Sequence, residues 1–286
     1  MSSVEYFTYE GMPFPATIFS EETFNHVEKE FQILDDDVIN LTYPKSGTHW
    51  MAEILALISK EGDPTWTQNV VLWDRSPWID TTDGLKKALE SPPPRLLNIH
   101  VPFRLFPKSF LQSKAKVIYT LRNPKDVLVS YYHFSVAMKI LKDPGTLQEF
   151  MEEFLSGNVP FGSWFDHVKG WMELKDKPNF FFITYEELQQ DPKGCVEKIC
   201  HFLGKELNRQ QIDSVVKYSS FKKMKENKMS NYSQADDTLM DHKKGQFMRK
   251  GISGDWKNHL TVAQNEHFDR VYQEKMQGMS ITFPWD

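Results

Sequence analysis

The chain has 286 residues, 40% hydrophobic and 14% aromatic, enough for a sizeable core and against general disorder. Asp and Glu number 39 against 34 Lys and Arg, a net charge of −5, which argues against a general nucleic-acid or anionic-membrane binder but permits a local basic pocket. Residues 1–7 lack the cationic and apolar blocks of a signal peptide, no apolar run approaches the ~18 residues that span a bilayer, and the two cysteines, Cys195 and Cys200, suit neither a Cys-x-x-Cys motif nor a disulfide; a soluble protein of a reducing compartment is expected.

An aromatic-rich opening (Tyr6, Phe7, Tyr9, Phe14) leads to a helix capped by Ser20, with Glu21 and Glu22 in its first turn. Asp37-Val38-Ile39-Asn40-Leu41 is short and β-branched, a buried strand. Beyond it, Met51, Ile54, Leu55 and Ile58 recur at helical spacing. Between strand and helix lies Thr42-Tyr43-Pro44-Lys45-Ser46-Gly47-Thr48-His49-Trp50. Such a loop aims backbone N–H groups and the positive end of a helix dipole at one point, Lys45 adds a full charge, and Ser46 and Thr48 add hydroxyls, so a phosphate is the natural occupant. The Walker pattern is not met, because Lys45 precedes its glycine and none lies upstream at the right spacing.

Residues 60–94 read as irregular, with Trp66, Trp73 and Trp78 either core anchors or walls for an apolar ligand. Leu96 to Val101 is a second strand stopped by Pro102; His100 at its end is either structural or a general base, since strand ends carry the chemistry of α/β enzymes. Ala115 to Leu121 is the clearest strand. It runs into Arg122-Asn123-Pro124, where Asn123 caps a helix through Phe134, and Arg122 and Ser130 can converge on one anion. A helical segment spans 162–171, a fourth strand Phe180 to Tyr185, and a helix runs from Asp191-Pro192 to Gly204. Four strands alternating with helices predict a single α/β domain over 1–286 with a central parallel sheet. The lysine-rich stretch 221–251 is a solvated loop on composition, yet Met224, Met229, Tyr232 and Phe247 suit a lid that closes over ligand. The last helix starts near Thr261.

Tyr-Pro-Lys-Ser-Gly-Thr-x-Trp at 43–50 resembles the 5′-phosphosulfate loop of the cytosolic sulfotransferases, and Leu-Arg-Asn-Pro-Lys-Asp-Val-Leu-Val-Ser at 121–130 resembles their 3′-phosphate motif. Arg-Ser-Pro-Trp at 75–78, Leu-Phe-Pro-Lys-Ser-Phe at 105–110, Lys-Glu-Asn-Lys-Met-Ser-Asn-Tyr-Ser at 225–233 and the Phe-Pro-Trp ending resemble the hydroxysteroid branch. The resemblance covers essentially the whole chain. It implies a cytosolic enzyme that moves a sulfuryl group from 3′-phosphoadenosine 5′-phosphosulfate to a steroid, sterol or bile-acid hydroxyl. No metal site is expected, since no His/Cys/carboxylate cluster with ligand spacing appears. Lys45, Ser46, Gly47, Thr48, His49 and Trp50 would hold the 5′-phosphosulfate side, with Trp50 stacked on adenine. Arg122, Ser130, Arg249, Lys250 and Gly251 would hold the 3′-phosphate, and Tyr185, Ser219, Ser220, Phe221 and Met224 would complete the nucleotide pocket. Trp73, Trp78, Phe134, Met138 and Tyr232 are candidates for the acceptor wall. His100 would be the base, Lys45 would stabilise the bridging oxygen, and Ser130 would draw Lys45 aside until acceptor is present.

The chain departs from the pattern at Asn98, where some relatives carry lysine, and at His49, where they usually carry Thr or Asn. Lys257, Thr261, Val262 and Glu266 match the K-x-x-x-T-V-x-x-x-E dimerisation pattern of the family, so a homodimer is expected. A P-loop kinase lacks support here in both Walker motifs, and a catalytically dead binding module is disfavoured by Lys45, His100 and Ser130.

Overall fold

The computed structural model describes residues 4–286; residues 1–3, part of the terminus read above for leader features, lie outside it. The aromatic opening forms an antiparallel hairpin of β1 (Tyr6–Tyr9) and β2 (Met12–Pro15), turning through Glu10 and Gly11, both at positive φ. Helix α1 (Glu21–Lys29) begins where expected, the Ser20 hydroxyl accepting the Thr23 N–H at 3.1 Å. The expected strand is β3 (Val38–Thr42), followed by α2 (Thr48–Ser59).

The stretch read as irregular contains three short helices, α3 (Thr65–Asn69), α4 (Leu72–Arg75) and α5 (Thr82–Glu90). None is long enough to display more than two turns or so of periodicity. Then come β4 (Leu96–Ile99), β5 (Lys116–Leu121) and α6 (Pro124–Ala137), the last capped by the Asn123 side chain with proline in its first turn. Helices α7 (Leu147–Ser156) and α8 (Trp164–Met172), strand β6 (Phe180–Thr184), and helices α9 (Tyr185–Gln190), α10 (Pro192–Leu203), α11 (Arg209–Tyr218) and α12 (Phe221–Glu226) precede a mainly irregular run. The chain closes with α13 (Val262–Met276), whose cap Thr261 exchanges hydrogen bonds with Gln264. Both cysteines are buried and free within α10.

The central sheet is parallel, in the order β4-β3-β5-β6. Alternation along β5 builds its two faces: Val117, Tyr119 and Leu121 pack with Trp164, Phe165 and Trp171, while Ile118 joins Met51, Ile54 and Leu55 of α2 with Val196 and Ile199 of α10. Burial on both faces fixes the register, and so brings the carboxyl ends of all four strands to one edge. A buried charged pair braces that edge from below. Arg75 and Glu53 meet at 2.9 Å, and Ser230 donates to the same carboxylate at 2.8 Å. Leu72 N–H also donates to the Met229 carbonyl at 2.9 Å. The polar 221–251 stretch is thereby rooted in the core at Met229 and Ser230 and held at its far end near Asp255, where Arg249 and Lys250 both lie 2.7 Å from the carboxylate.

Candidate active site

Each strand of the sheet delivers a chemically distinct residue at its carboxyl end: β3 the loop of Lys45, β4 His100, β5 Arg122 and β6 Tyr185. All four line one cavity of about 820 Å³.

The phosphate loop is held open by local strain. Lys45 has φ of 68°, uncommon for a side chain with a Cβ, and Gly47 has φ of 109°; a Cβ on Gly47 would come within 2.9 Å of the Tyr185 ring. The loop is tied down by Thr42, whose hydroxyl bonds that of Thr48 at 2.7 Å, and by Asn40, which donates to the Thr48 carbonyl at 2.9 Å. Arg122 Nη1 donates to the Lys45 carbonyl at 3.1 Å and Nη2 to the Ile252 carbonyl at 3.1 Å, so one guanidinium joins the phosphate loop to the end of the lid segment. Its plane lies 4.2 Å over the Tyr185 ring. Trp50 meets the same ring edge-on. Among the described residues, the buried Ser46 hydroxyl and Arg122 Nε have no partner. Unpartnered buried donors and a loop crowding out any Cβ fit a phosphate-bearing donor.

Lys45 extends from the loop so that its ammonium lies 4.0 Å from the Phe134 ring and 4.1 Å from Phe247. Burial, with Arg122 and Arg249 nearby, lowers its pKa to about 7. Ser130 lines the same cavity, but in this arrangement the two rings seat the lysine.

His100 is fixed at backbone and ring. Its N–H donates to Asp80 Oδ2 at 2.6 Å, and its carbonyl accepts from His167 Nε2 at 3.0 Å. Ring Nδ1 lies 2.8 Å from the Thr42 carbonyl, an acceptor only, so Nδ1 carries the proton and Nε2 the lone pair. That lone pair accepts the Trp78 indole N–H at 3.0 Å. Burial lowers the imidazole pKa to about 4, more than the Thr42 contact raises it, and keeps the ring neutral and basic in form at pH 7. His49 is also neutral: burial, then Lys45, drives its pKa well below 6.5. Its Nε2 has no partner among the described residues, and the ring packs 4.2 Å from Phe247 and 5.1 Å from Trp78.

Among the residues expected at the site, Lys45, Gly47, Thr48, His49, Trp50, His100, Arg122, Ser130, Tyr185, Phe221, Met224, Arg249, Lys250 and Gly251 line the cavity, as do Trp73, Trp78, Phe134, Met138 and Tyr232. Ser46 and Ser219 do not reach it: Ser46 is fully buried within the loop, and the Ser219 hydroxyl turns back to the Val215 carbonyl at 2.7 Å. Ser220 serves as the cap of α12. Arg249 and Lys250 share Asp255, whose carboxyl stays well below the usual range because hydrogen bonds from Lys250, Asn258 and Arg249 outweigh its burial. Phe247, read from the sequence only as a lid residue, links Lys45, His49 and Tyr232. One residue here was missed. Asp80, wholly buried, left no signal.

A sulfotransferase-domain model matches residues 35–280. Human sulfotransferase 2B1 is 54% identical over 282 residues, 99% of this chain and 77% of that protein. The guinea-pig (Cavia porcellus) 3-beta-hydroxysteroid sulfotransferase is 53% identical over 97% of each. Among solved structures, mouse sulfotransferase SULT7A1 complexed with PAP superposes with a TM-score of 0.80 at 31% identity, covering 96% of both chains. A retinol dehydratase in complex with androsterone and inactive cofactor PAP, 22% identical over 93% of this chain and 87% of its own, shares the fold with a TM-score of 0.83. With a family model running over most of its length and relatives more than half identical to it, this chain belongs to the sulfotransferase family.

Proposed function

We propose that this enzyme sulfates a hydroxyl of a steroid, sterol or bile acid, with His100 as general base. The observation that carries the proposal is the imidazole tautomer: Thr42 fixes the proton on Nδ1, leaving the Nε2 lone pair inside the cavity that Lys45 also enters. The donor supplies an activated sulfuryl group whose transfer, like phosphoryl transfer, needs in-line geometry and charge stabilisation on the departing oxygen.

In this proposal Lys45 to Trp50 hold the 5′-phosphosulfate side, and Arg122, Ser130, Arg249, Lys250 and Gly251 hold the 3′-phosphate. Tyr185, Phe221 and Met224 frame the nucleotide; Ser219 acts only by closing α11 and Ser220 only by capping α12. Anionic donor oxygens raise the Lys45 pKa from about 7, so the ammonium is charged when it stabilises the bridging oxygen. His100 takes the acceptor proton, a contribution of roughly 10²–10⁴ in rate. Trp73, Trp78, Phe134, Met138 and Tyr232 form an acceptor wall of aromatic and thioether groups, which adapts to a bulky apolar body. The hydroxysteroid named for the guinea-pig relative supports that acceptor class.

A single sulfotransferase domain over 1–286, a cytosolic setting and a homodimer through Lys257, Thr261, Val262 and Glu266 belong to the same proposal. No helix among the described residues is long and apolar enough to cross a membrane. The test is an assay with radiolabelled sulfuryl donor and a panel of sterols, bile acids and simple phenols. Sulfated sterols or bile acids should form with the highest kcat/KM. Faster turnover of phenols would overturn the acceptor class, and ATP hydrolysis without a sulfated product would overturn the donor.

A further inference from the structure

Trp78 stands at the one atom the chemistry needs free. Its indole N–H, a donor only, lies 3.0 Å from the His100 Nε2 lone pair. The backbone under Trp78 cannot drift to release that contact. Residue 78 bridges Asn98 of β4 in parallel, with Ile79 N–H donating to the Asn98 carbonyl at 3.0 Å and Asn98 N–H donating to the Pro77 carbonyl at 2.8 Å. The Trp78 carbonyl accepts from the Thr81 hydroxyl at 2.9 Å, and α5 closes so tightly behind it that a Cβ on Gly84 would lie 1.9 Å from that oxygen. Only rotation of the side chain uncovers the base. The indole is partly exposed to the cavity, so it has space into which to turn.

We infer that Trp78 is a specificity-determining residue that shields the base from water, yielding the His100 lone pair only to an acceptor large enough to displace its indole. The inference rests on the reading of His100 as base. A bare Nε2 beside an activated sulfuryl group would deprotonate water as readily as an alcohol. In that wasteful step the water oxygen bonds to sulfur and its proton passes to Nε2. The bond from sulfur to the bridging oxygen breaks, its electron pair stays on the 5′-phosphate beside Lys45, and the products are sulfate and adenosine 3′,5′-bisphosphate. With the indole in place a small molecule must compete with a donor tethered to a rigid strand. An apolar polycyclic alcohol displaces the ring by filling the cavity, and its hydroxyl then replaces the indole N–H at Nε2. Selection of acceptor by bulk, and protection of the donor between turnovers, come from one hydrogen bond.

The test compares the unaltered enzyme with Trp78→Phe, His100→Asn and the double variant, all loaded with radiolabelled donor and no acceptor. Phenylalanine keeps an aromatic surface and removes the N–H. Sulfate release from Trp78→Phe should rise about five- to tenfold, the size of one lost hydrogen bond, and fall back in the double variant. Release no faster than from the unaltered enzyme, with His100→Asn unable to transfer to a sterol, overturns the role of Trp78 and leaves the base in place. Full sterol transfer by His100→Asn overturns the base itself. A reading on the unaltered protein guards against a misfolded variant. In a ¹⁵N-indole-labelled sample with adenosine bisphosphate bound, one indole N–H should exchange slowly, then quickly once a sterol is added. Unchanged exchange at every indole overturns the inference.

Discussion

His100 and His49 are both neutral imidazoles in one cavity, yet their surroundings differ, and the proposed function gives them different work. The His100 ring has its proton held at Nδ1 by Thr42, whereas His49 Nε2 is unpartnered and walled by Phe247 and Trp78. Replacing His100 by Asn should lower kcat by at least about 10²-fold, the range for loss of a general base, with donor affinity nearly intact. His49→Asn should mainly change binding constants. The check is kcat measured beside donor and acceptor dissociation constants; lost turnover in His49→Asn with a mild effect in His100→Asn would reverse the roles. His100 was legible because a strand ending in His-Val-Pro is a recognisable position. The tautomer was not legible, since it depends on a carbonyl 58 positions away that only the sheet register brings near.

At the scale of elements, the segment that ends in Gly251 ties nucleotide side to acceptor side. Gly251 has φ of 65°, and a Cβ there would lie 2.1 Å from the Phe221 ring, while its carbonyl accepts from Gln189 at 2.6 Å. Gly251→Ala should therefore weaken adenosine 3′,5′-bisphosphate binding by about tenfold or more, the scale of 1–2 kcal/mol for a left-handed alanine before the clash is counted. Titration calorimetry measures it; unchanged affinity would mean that this loop does not hold the 3′-phosphate. Sequence periodicity marked the long elements, α2 and α6, because an apolar stripe repeats over several turns there. It could not mark α3 or α4, each about one turn long, nor the hairpin, where Pro13 and Pro15 argue against a strand and Glu10-Gly11 is a weak turn signal. Strand ends could be aligned with chemistry in advance, but contacts such as Phe247 on Lys45 join residues 202 positions apart and have no local trace.

For the molecule as a whole, Val262 is 76% exposed at the start of α13, an apolar side chain in water beside Thr261 and Glu266. A patch this small can pair by two-fold symmetry only weakly. Val262→Glu should give a monomer by sedimentation with activity retained, and an unchanged mass would refute that interface. The rooting of the 221–251 segment at Ser230 and at Asp255 has a larger consequence. The span between those two anchors carries Tyr232 and Arg249, the proposed acceptor and nucleotide contacts, into one cavity, with Phe247 packed on Tyr232 and Lys45. In the proposed function, a ligand that fixes that span from one side would spare the other ligand part of the ordering cost. By reciprocity any such coupling would raise both affinities by the same factor, so a spent nucleotide and an unreacted acceptor would hold each other in the cleft as well.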